Sequence, residues 1–209
     1  GTVVAGGNGS GSGLNQFSVP QAVYVDGSGN LYVSDKLNNR VLKFPSGSTS
    51  ATSGTVVAGG NGSGSAANQL NGPDGIFVDA SGNLYVADAN NNRIQKFPSG
   101  STSATNATTV AGATGPYSCS NLNQFQFPHA VVVDASGNLY VADGNCNRVL
   151  KFPSGSTSAT SGTIVAGGNG FGTALNSVNL PYDLCLDASG NVYVVDNTQH
   201  RVIKFPSNS

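Results

Sequence analysis

Short runs of β-branched, aliphatic and aromatic residues recur along the whole chain, separated by stretches of Gly, Ser, Asn and Asp. Short apolar runs bounded by such turn residues are typical of β-strands. The turn sequence Asp-x-Ser-Gly-Asn begins at Asp26, Asp79, Asp134 and Asp187, at intervals of 53, 55 and 53 residues. Periods of this length predict a repeated structural unit, such as a propeller blade or a solenoid unit.

Each repeat predicts four strands, which we call a, b, c and d. Strand a follows a proline and is apolar on both faces, at 23–25, 76–78, 131–133 and 184–186. Strand b follows the Ser-Gly-Asn turn, strand c is amphipathic (Arg40–Phe44 in the first repeat), and strand d begins at Thr55 after a Pro-Ser-Gly-Ser-Thr loop. A buried inner strand followed by more polar outer strands predicts a blade, and no helical periodicity occurs. The chain is therefore expected to be an all-β propeller of four four-stranded blades.

The two ends of the sequence fall at complementary points of the repeat. The chain begins within a strand d, at residues 2–5, and ends just after strand c, Arg201–Phe205. We expect these segments to pair and close one domain of residues 1–209, because closure removes an exposed strand edge. The repeats are then about 20–57, 73–110 and 128–165, with 181–205 completed by 1–7. A monomer is favoured, and a dimeric eight-bladed ring is the alternative.

The repeat resembles the NHL repeat family. The matching text is Pro-x-x-(Val/Ile)-x-Val-Asp-x-Ser-Gly-Asn-Leu-Tyr-Val-Ala-Asp-x-x-Asn-Asn-Arg-(Val/Ile)-x-Lys-Phe, most fully carried by residues 73–97. The resemblance extends over the whole chain in four copies and implies a β-propeller, commonly of about six blades in this family. It implies no single function, because NHL propellers include lyases, ligand sensors, RNA binders and protein-interaction modules.

The chain carries little charge. Only 9% of its residues are charged, against about 25% in an average globular domain, and the formal net charge is −1. The basic residues are spread over the repeats and form no basic stripe, so nucleic-acid binding is not expected. No apolar run approaches the roughly 18–20 residues that cross a bilayer, so no membrane span is expected.

Positions where the four copies differ are the candidates for a ligand site. They lie at the start of strand a and in the d–a connectors, which share one face with the b–c turns. The candidates are Gln21, Asp74, His129, Tyr182, Asp183, Asn15, Gln16, Asn68, Gln69, Asn123, Gln124 and Asn176. Amides beside apolar or aromatic residues suit a neutral hydroxylated ligand, because amides donate and accept while rings stack on sugar C–H surfaces. The favoured function is a secreted, non-enzymatic binding module for a neutral glycan (a lectin) or a protein ligand; apolar anchoring of the connectors between blades is the structural alternative.

Two other functions stay open. One is a propeller lyase or hydrolase that uses His129, Asp74, Asp183 and Tyr182 at the mouth of the central channel. It is less favoured, because two histidines at different repeat positions do not supply the three or four ligands of a zinc site. The other is a scaffold fragment of a longer NHL-repeat protein. No catalytic residue or cofactor is therefore assigned.

Two sets of aspartates recur in every repeat. Asp26, Asp79, Asp134 and Asp187 start the a–b turn and are weak candidates for Ca²⁺, although such residues more often close their own turn. Asp35, Asp88, Asp143 and Asp196 each precede an arginine by five residues. We interpret these pairs as structural, since a role repeated in every blade suits a scaffold.

Three cysteines are unevenly placed. Cys146 replaces an Asn in the third b–c turn, and Cys119 lies in the preceding connector, where residues 116–121 diverge most. Both segments should emerge on one face of one blade, so a Cys119–Cys146 disulfide is expected, which supports secretion. Cys185 lies in strand a and is expected to be a buried thiol. Glycosylation sequons begin at Asn8, Asn61 and Asn106.

Overall fold

The computed structural model describes residues 1–113 and 117–207. It contains fifteen strands in four antiparallel sheets, and each sheet is formed by the strands of one sequence repeat. Blade 1 holds β1 (Pro20–Val25), β2 (Leu31–Asp35), β3 (Arg40–Phe44) and β4 (Thr55–Gly59). Blade 2 holds β5 (Pro73–Val78), β6 (Leu84–Asp88), β7 (Arg93–Phe97) and β8 (Thr108–Ala111).

Blades 3 and 4 repeat this order. Blade 3 holds β9 (Pro128–Val133), β10 (Leu139–Asp143), β11 (Arg148–Phe152) and β12 (Thr163–Gly167). Blade 4 holds β13 (Pro181–Leu186), β14 (Val192–Asp196) and β15 (Arg201–Phe205). The predicted fold class is confirmed: the protein is all-β and built from four propeller blades.

One part of that prediction needs correction. Blade 4 is a three-stranded sheet, and residues 2–5 form no strand, so the four strands predicted for this blade are not all formed among the described residues. A strand forms only where a partner edge supplies its hydrogen bonds, and the hydrophobic pattern of residues 2–5 does not specify that partner.

The turns follow from local sequence. In the a–b turn, Gly29 adopts φ 77°, and its N–H donates to the Asp26 carbonyl at 2.9 Å. A left-handed backbone of this kind favours glycine. The b–c turns are single 3-10 turns, Lys36–Asn38, Ala89–Asn91, Gly144–Cys146 and Asn197–Gln199. Each is followed by a residue with φ of 52° to 54°, namely Asn39, Asn92, Asn147 and His200.

The chain forms two compact units. The first comprises Gly1–Asn91 and Lys96–Thr108, and the second comprises Asn92–Gln95 and Thr109–Ser209. In the first unit, Val41 of blade 1 is buried in one cluster with Ile76 and Val78 of blade 2. In the second, Val149 of blade 3 is buried with Leu184 of blade 4. Each core therefore lies between successive blades and is formed by side chains from both.

No helix among the described residues is long and apolar enough to cross a membrane.

Candidate functional site

The Asp–Arg pair of each b–c turn holds a connector in place. Asp143 Oδ1 accepts the N–H of Gln126 at 2.7 Å, and its Oδ2 accepts Arg148 Nε at 2.9 Å. Arg148 also donates to the carbonyls of Asn121 and Gln124, both at 2.9 Å. Blades 1 and 4 repeat the arrangement with Asp35–Arg40 and Asp196–Arg201. The structural interpretation of these pairs is confirmed.

The Asp143 carboxyl is fully buried. Burial raises its pKa to about 6, although the Gln126 N–H and the Arg148 guanidinium act to lower it. A perturbed carboxyl in a cleft is a common mark of an active site. Here the carboxyl is enclosed by its own connector, so it is unavailable to a ligand.

The d–a connectors lie against the b–c turns, and most of the amide residues predicted as ligand-binding form hydrogen bonds within these connectors. Gln16 Nε2 donates to the Asn8 carbonyl at 2.8 Å, and Gln69 Nε2 donates to the Asn61 carbonyl at 3.1 Å. Gln124 Oε1 accepts Asn121 Nδ2 at 2.8 Å. Main-chain oxygens of the neighbouring asparagines accept further bonds, at Asn15, Asn68, Asn123 and Asn176. These groups shape the connectors, and ligand binding by them stays a prediction.

The side-chain contacts at the start of strand a differ between the two units. In the first unit Asp74 is buried, and its Oδ2 lies 3.1 Å from Nζ of Lys36, which belongs to the b–c turn of blade 1. Gln21 holds the equivalent place in blade 1 and is half-buried. An ion pair between successive blades therefore occupies this position.

In the second unit an aromatic pair occupies the same position. The rings of His129 and Tyr182 stack with centroids 4.5 Å apart and planes inclined by 27°. Phe127 meets His129 edge-on at 5.1 Å. His129 is only 7% exposed, whereas Tyr182 is 36% exposed, so Tyr182 presents the pair to solvent. Asp183 beside it is exposed, and its Oδ1 accepts the Leu184 N–H at 2.8 Å.

Gly144 makes room for this pair. It begins the b–c turn of blade 3, where the other blades have Lys36, Ala89 and Asn197. A methyl group at Gly144 would lie 2.9 Å from His129 Nε2 and would overlap the imidazole Cδ2. The absence of a side chain at Gly144 is what lets the imidazole lie over the turn.

A hydrogen bond between successive blades was missed by the sequence analysis. In blades 1 to 3, the Asn side chain that follows the b–c turn accepts the N–H of the residue before the next strand-a proline. Asn39 accepts from Gly72 at 2.9 Å, and Asn147 accepts from Leu180 at 2.8 Å. Asn92 accepts from Phe127 at 2.7 Å, which also fixes Phe127 against His129. The Asn that precedes the Arg in three of the repeats is the sequence feature that could have indicated this bond, whereas the repeat pattern suggested a structural role only for the Asp and the Arg.

The a–b turn aspartates each close their own turn. Asp187 Oδ1 accepts the N–H groups of Ser189 and Asn191, and its Oδ2 accepts Asn191 Nδ2 at 2.7 Å. The Asn191 amide is the main cause that holds the pKa of Asp187 at about 2. For Asp26, Asp79 and Asp134, burial raises the pKa but the same hydrogen bonds outweigh it, so the pKa is lowered.

A metal ion needs several ligands converging on one point. Within residues 1–113 and 117–207, no three His, Cys, Asp or Glu side chains are grouped so as to hold one. Calcium binding at Asp26, Asp79, Asp134 and Asp187 therefore has no supporting cluster among the described residues, and it stays a prediction.

The cysteines follow the predicted pairing in one respect and differ in another. Cys119 and Cys146 form a disulfide with Cα atoms 5.3 Å apart. Residue 116, the first of the divergent stretch 116–121, lies outside the described residues. Cys185 is a free thiol but is exposed, contrary to expectation. The equivalent Val132 packs against the cluster shared with the next blade, and the structure places no such cover over Cys185.

Comparisons with known proteins agree with this architecture. The NHL repeat family model matches residues 70–97 and 125–152, which contain the first three strands of blade 2 and of blade 3. NHL repeat-containing protein 3 of Mus musculus is 38% identical over 92 residues, which is 42% of this chain and 25% of that protein. The chain thus spans about a quarter of the length of this relative.

Two solved structures share the fold at low sequence identity. One is a chain in the crystal structure of a nidogen/laminin complex. The match covers 92% of this chain and 61% of that chain, with a TM-score of 0.64 and 20% sequence identity. The other is a streptogramin B lyase structure. The match covers 91% of this chain and 55% of that chain, with a TM-score of 0.53 and 13% sequence identity. At these identities the likeness concerns the fold alone. Blades 2 and 3 thus match the NHL repeat, and the four-bladed chain that contains them is similar to NHL-repeat proteins.

Proposed function

We propose that this chain is an extracellular, non-enzymatic binding module that recognises a neutral hydroxylated ligand such as a glycan. The observation that carries the proposal is the exposed ring of Tyr182, stacked on His129 beside Phe127. A pyranose ring presents C–H groups on one face, and these pack on aromatic rings. The stack on His129 fixes the Tyr182 ring in advance, which lowers the entropy lost on binding.

The polar groups beside this ring suit hydroxyls. Asp183 is exposed one residue after Tyr182, and a carboxylate accepts strong hydrogen bonds from hydroxyl groups. Only 9% of the chain is charged, and its net charge is −1, so no strong field selects a highly charged ligand. A neutral ligand with both an apolar face and hydroxyl groups matches these properties best.

An extracellular location is supported by the Cys119–Cys146 disulfide, because disulfides persist in oxidising compartments. In a eukaryotic secretory pathway we expect a glycan on Asn106, which is exposed. Asn8 and Asn61 are poorer acceptors, since their Nδ2 atoms donate to the carbonyls of Ser50 and Ser103 in the neighbouring c–d loops.

A propeller lyase or hydrolase is the second candidate, favoured by the nearness of His129, Tyr182 and Asp183 and by the fold shared with the streptogramin B lyase. The Asp74 carboxylate of the predicted catalytic set is already engaged by Lys36. Elemental analysis separates the two candidates: a stoichiometric bound metal favours the enzyme. Because the chain spans a quarter of its relative, the same test should be repeated on any longer natural form.

The binding proposal is tested with an array of neutral glycans. The protein is compared with Tyr182→Ala and with Tyr117→Ala, a control that removes another exposed tyrosine of the same unit. We expect binding that is lost in Tyr182→Ala and kept in Tyr117→Ala. Absence of glycan binding, or equal binding by both variants, would contradict the proposal.

A further inference from the structure

Blade 3 departs from the other repeats twice within one three-residue turn, Gly144–Cys146. Gly144 stands where the other blades have a side chain, and it leaves the space that the His129 imidazole fills. Cys146 stands where blades 1 and 2 have an asparagine and blade 4 has a glutamine, and it forms the disulfide with Cys119. The turn that supports the aromatic pair is therefore also the turn that is covalently tied to its connector.

Main-chain hydrogen bonds join this turn to the segment that leads into β9. The Gly144 N–H donates to the Phe127 carbonyl at 3.2 Å, and the Asn145 N–H donates to the Gln126 carbonyl at 3.0 Å. Cys119 Sγ lies 3.8 Å from Gln126 Oε1. The disulfide therefore borders both the turn and the entry to the strand that carries the imidazole, so a shift of the turn is transmitted to that side chain.

The two sulfur atoms differ in their access to solvent. Cys119 is exposed, whereas Cys146 is only 9% exposed. Exchange with an external thiol begins when a thiolate attacks a sulfur atom that it can reach. The Cys119 sulfur is thus the point at which a reductant enters.

The connector keeps other bonds when the disulfide is broken. Arg148 donates to the carbonyls of Asn121 and Gln124, both at 2.9 Å, and Asp143 accepts the Gln126 N–H at 2.7 Å. None of these bonds involves the turn Gly144–Cys146. Reduction therefore leaves the connector attached to the blade but loosens the turn, which is then held mainly by its main-chain bonds.

We propose that the Cys119–Cys146 disulfide positions the His129–Tyr182 pair, so that reduction of the disulfide weakens ligand binding and its re-formation restores binding. This inference rests on the proposed function, because the pair is the binding surface named there. Fixing one side chain in its binding conformation changes affinity by a factor of about 2 to 10. The control is therefore graded, and the reduced protein still binds weakly.

The reductant is a dithiol. One of its thiolates attacks Cys119 Sγ, the S–S bond breaks, and the electron pair of that bond leaves on Cys146 Sγ, which takes up a proton. The second thiol of the reductant then attacks the mixed disulfide and releases Cys119 as a thiol. Two electrons and two protons have passed to the protein, and the dithiol has become a disulfide.

NMR of the protein without any ligand tests the positioning role. Labelled histidine and tyrosine rings are compared before and after reduction by dithiothreitol, and we expect the His129 and Tyr182 ring resonances to shift. Tyr140 is the control, because its hydroxyl donates to Asp134 at the opposite end of blade 3. Unshifted His129 and Tyr182 resonances, or equal shifts of Tyr140, would overturn the proposal, since the disulfide would then have no role or only a general structural one.

Titration with a neutral glycan tests the effect on binding. The dissociation constant should rise about threefold or more on reduction and recover on oxidation. Cys119→Gly with Cys146→Asn introduces the residues of blade 2 and keeps Cys185, so this double variant should bind like the oxidised parent with or without dithiothreitol. Equal affinities of the oxidised and reduced parent, or a double variant that responds to dithiothreitol, would also overturn the proposal.

The two readouts separate this inference from the proposed function. Ring shifts of His129 and Tyr182 on reduction, in a protein that binds no neutral glycan, would contradict the proposed ligand and support the positioning role of the disulfide. Glycan binding that depends on Tyr182 but is the same in the oxidised and reduced protein would support the proposed function and exclude the redox control.

Discussion

Cys146 forms a disulfide with Cys119 at the place where two other repeats use a hydrogen bond. In blade 1, Asn38 Nδ2 donates to the Gly11 carbonyl at 2.9 Å, and in blade 2, Asn91 Nδ2 donates to the Gly64 carbonyl at 2.8 Å. Cys146 is equivalent to Asn38 and Asn91, and Cys119 is equivalent to Gly11 and Gly64. The disulfide therefore replaces a tie between the b–c turn and its connector that the fold already contains.

In blade 4 the equivalent connector residue is bonded within the connector instead. Gln199 and Gly172 occupy the equivalent positions, but Asn179 Nδ2 donates to the Gly172 carbonyl at 2.7 Å. Gly172 N–H in turn donates to Asn179 Oδ1 at 3.1 Å. Blades 1 to 3 thus tie the b–c turn to the connector at the same point, whereas in blade 4 the equivalent residue Gly172 is held by another residue of the connector.

This equivalence predicts how the disulfide contributes to stability. Replacing both cysteines by serine should lower the free energy of unfolding by about 3 kcal/mol, because a closed loop of 27 residues constrains the unfolded chain. Cys119→Gly with Cys146→Asn restores the hydrogen bond of blades 1 and 2 and should recover about 1 kcal/mol of that loss. Denaturant unfolding of both double variants measures the difference. Equal stabilities would contradict the equivalence.

The Asp–Arg pairs should differ in importance according to their burial. The Arg148 side chain is 2% exposed, and the Arg201 side chain is 24% exposed. Arg148→Met leaves the buried Asp143 carboxylate unpaired and should cost about 3–5 kcal/mol. Arg201→Met should cost clearly less, because solvent already reaches the Arg201 side chain and can enter the space that its guanidinium leaves beside Asp196. Thermal or denaturant unfolding tests this order, and a larger loss for Arg201→Met would refute the burial argument.

The features that the sequence predicted well are those fixed within one repeat. Proline, the Asp-x-Ser-Gly-Asn turn and the alternating apolar residues locate strands a, b and c, and the fixed direction of those strands places Cys119 near Cys146. The errors concern relations between blades. The exposure of Cys185, the missing fourth strand and the bond from Leu180 to Asn147 depend on what the next blade covers.

The candidate site illustrates the same division. The start of strand a was identified because Gln21, Asp74, His129 and Tyr182 differ between copies. The sequence did not show that Asp74 would pair with Lys36, or that His129 would stack on Tyr182, since each contact joins two blades. Nor did it show that the glutamines of the connectors are engaged locally, because hydrogen bonds of flexible amides depend on the local backbone.

The pKa of Asp187 should depend on one side chain. Asn191→Ala removes the hydrogen bond that holds the pKa at about 2 and should raise it toward about 3.9, the ordinary value. Ser189→Ala is the control, because Ser189 donates through its main-chain N–H and should leave the pKa unchanged. An NMR pH titration of the Asp187 carboxyl measures both. An unaltered pKa in Asn191→Ala would contradict the assignment.

The lowered pKa of Asp187 also predicts how the stability of the fold changes at acid pH. The folded pKa of Asp187 lies below the unfolded value, so its contribution to stability is present above about pH 4. That contribution is lost as the pH falls toward 2. The lowered pKa values of Asp26, Asp79 and Asp134 act in the same direction. Unfolding curves recorded between pH 5 and 2 should therefore show less acid sensitivity in Asn191→Ala than in the parent protein.

The space over Gly144 should control the aromatic pair. Gly144→Ala would force the His129 imidazole to move, and Tyr182 would lose its support. Because Ala89 is tolerated at the same position in blade 2, the variant should stay folded. Glycan binding should fall at least tenfold, while Gly27→Ala, at an open turn position, should bind normally. Unchanged binding by Gly144→Ala would show that the stack is not needed.

Chemical-shift mapping tests the central claim most directly. The ¹⁵N-labelled protein is titrated with the neutral oligosaccharide that gives the strongest array signal, and amide and aromatic resonances are followed. We expect the largest changes at His129, Tyr182 and Asp183, with small changes at Lys36 and Asp74. Saturable binding with no change at His129 or Tyr182, or no binding by any neutral glycan, would contradict the account.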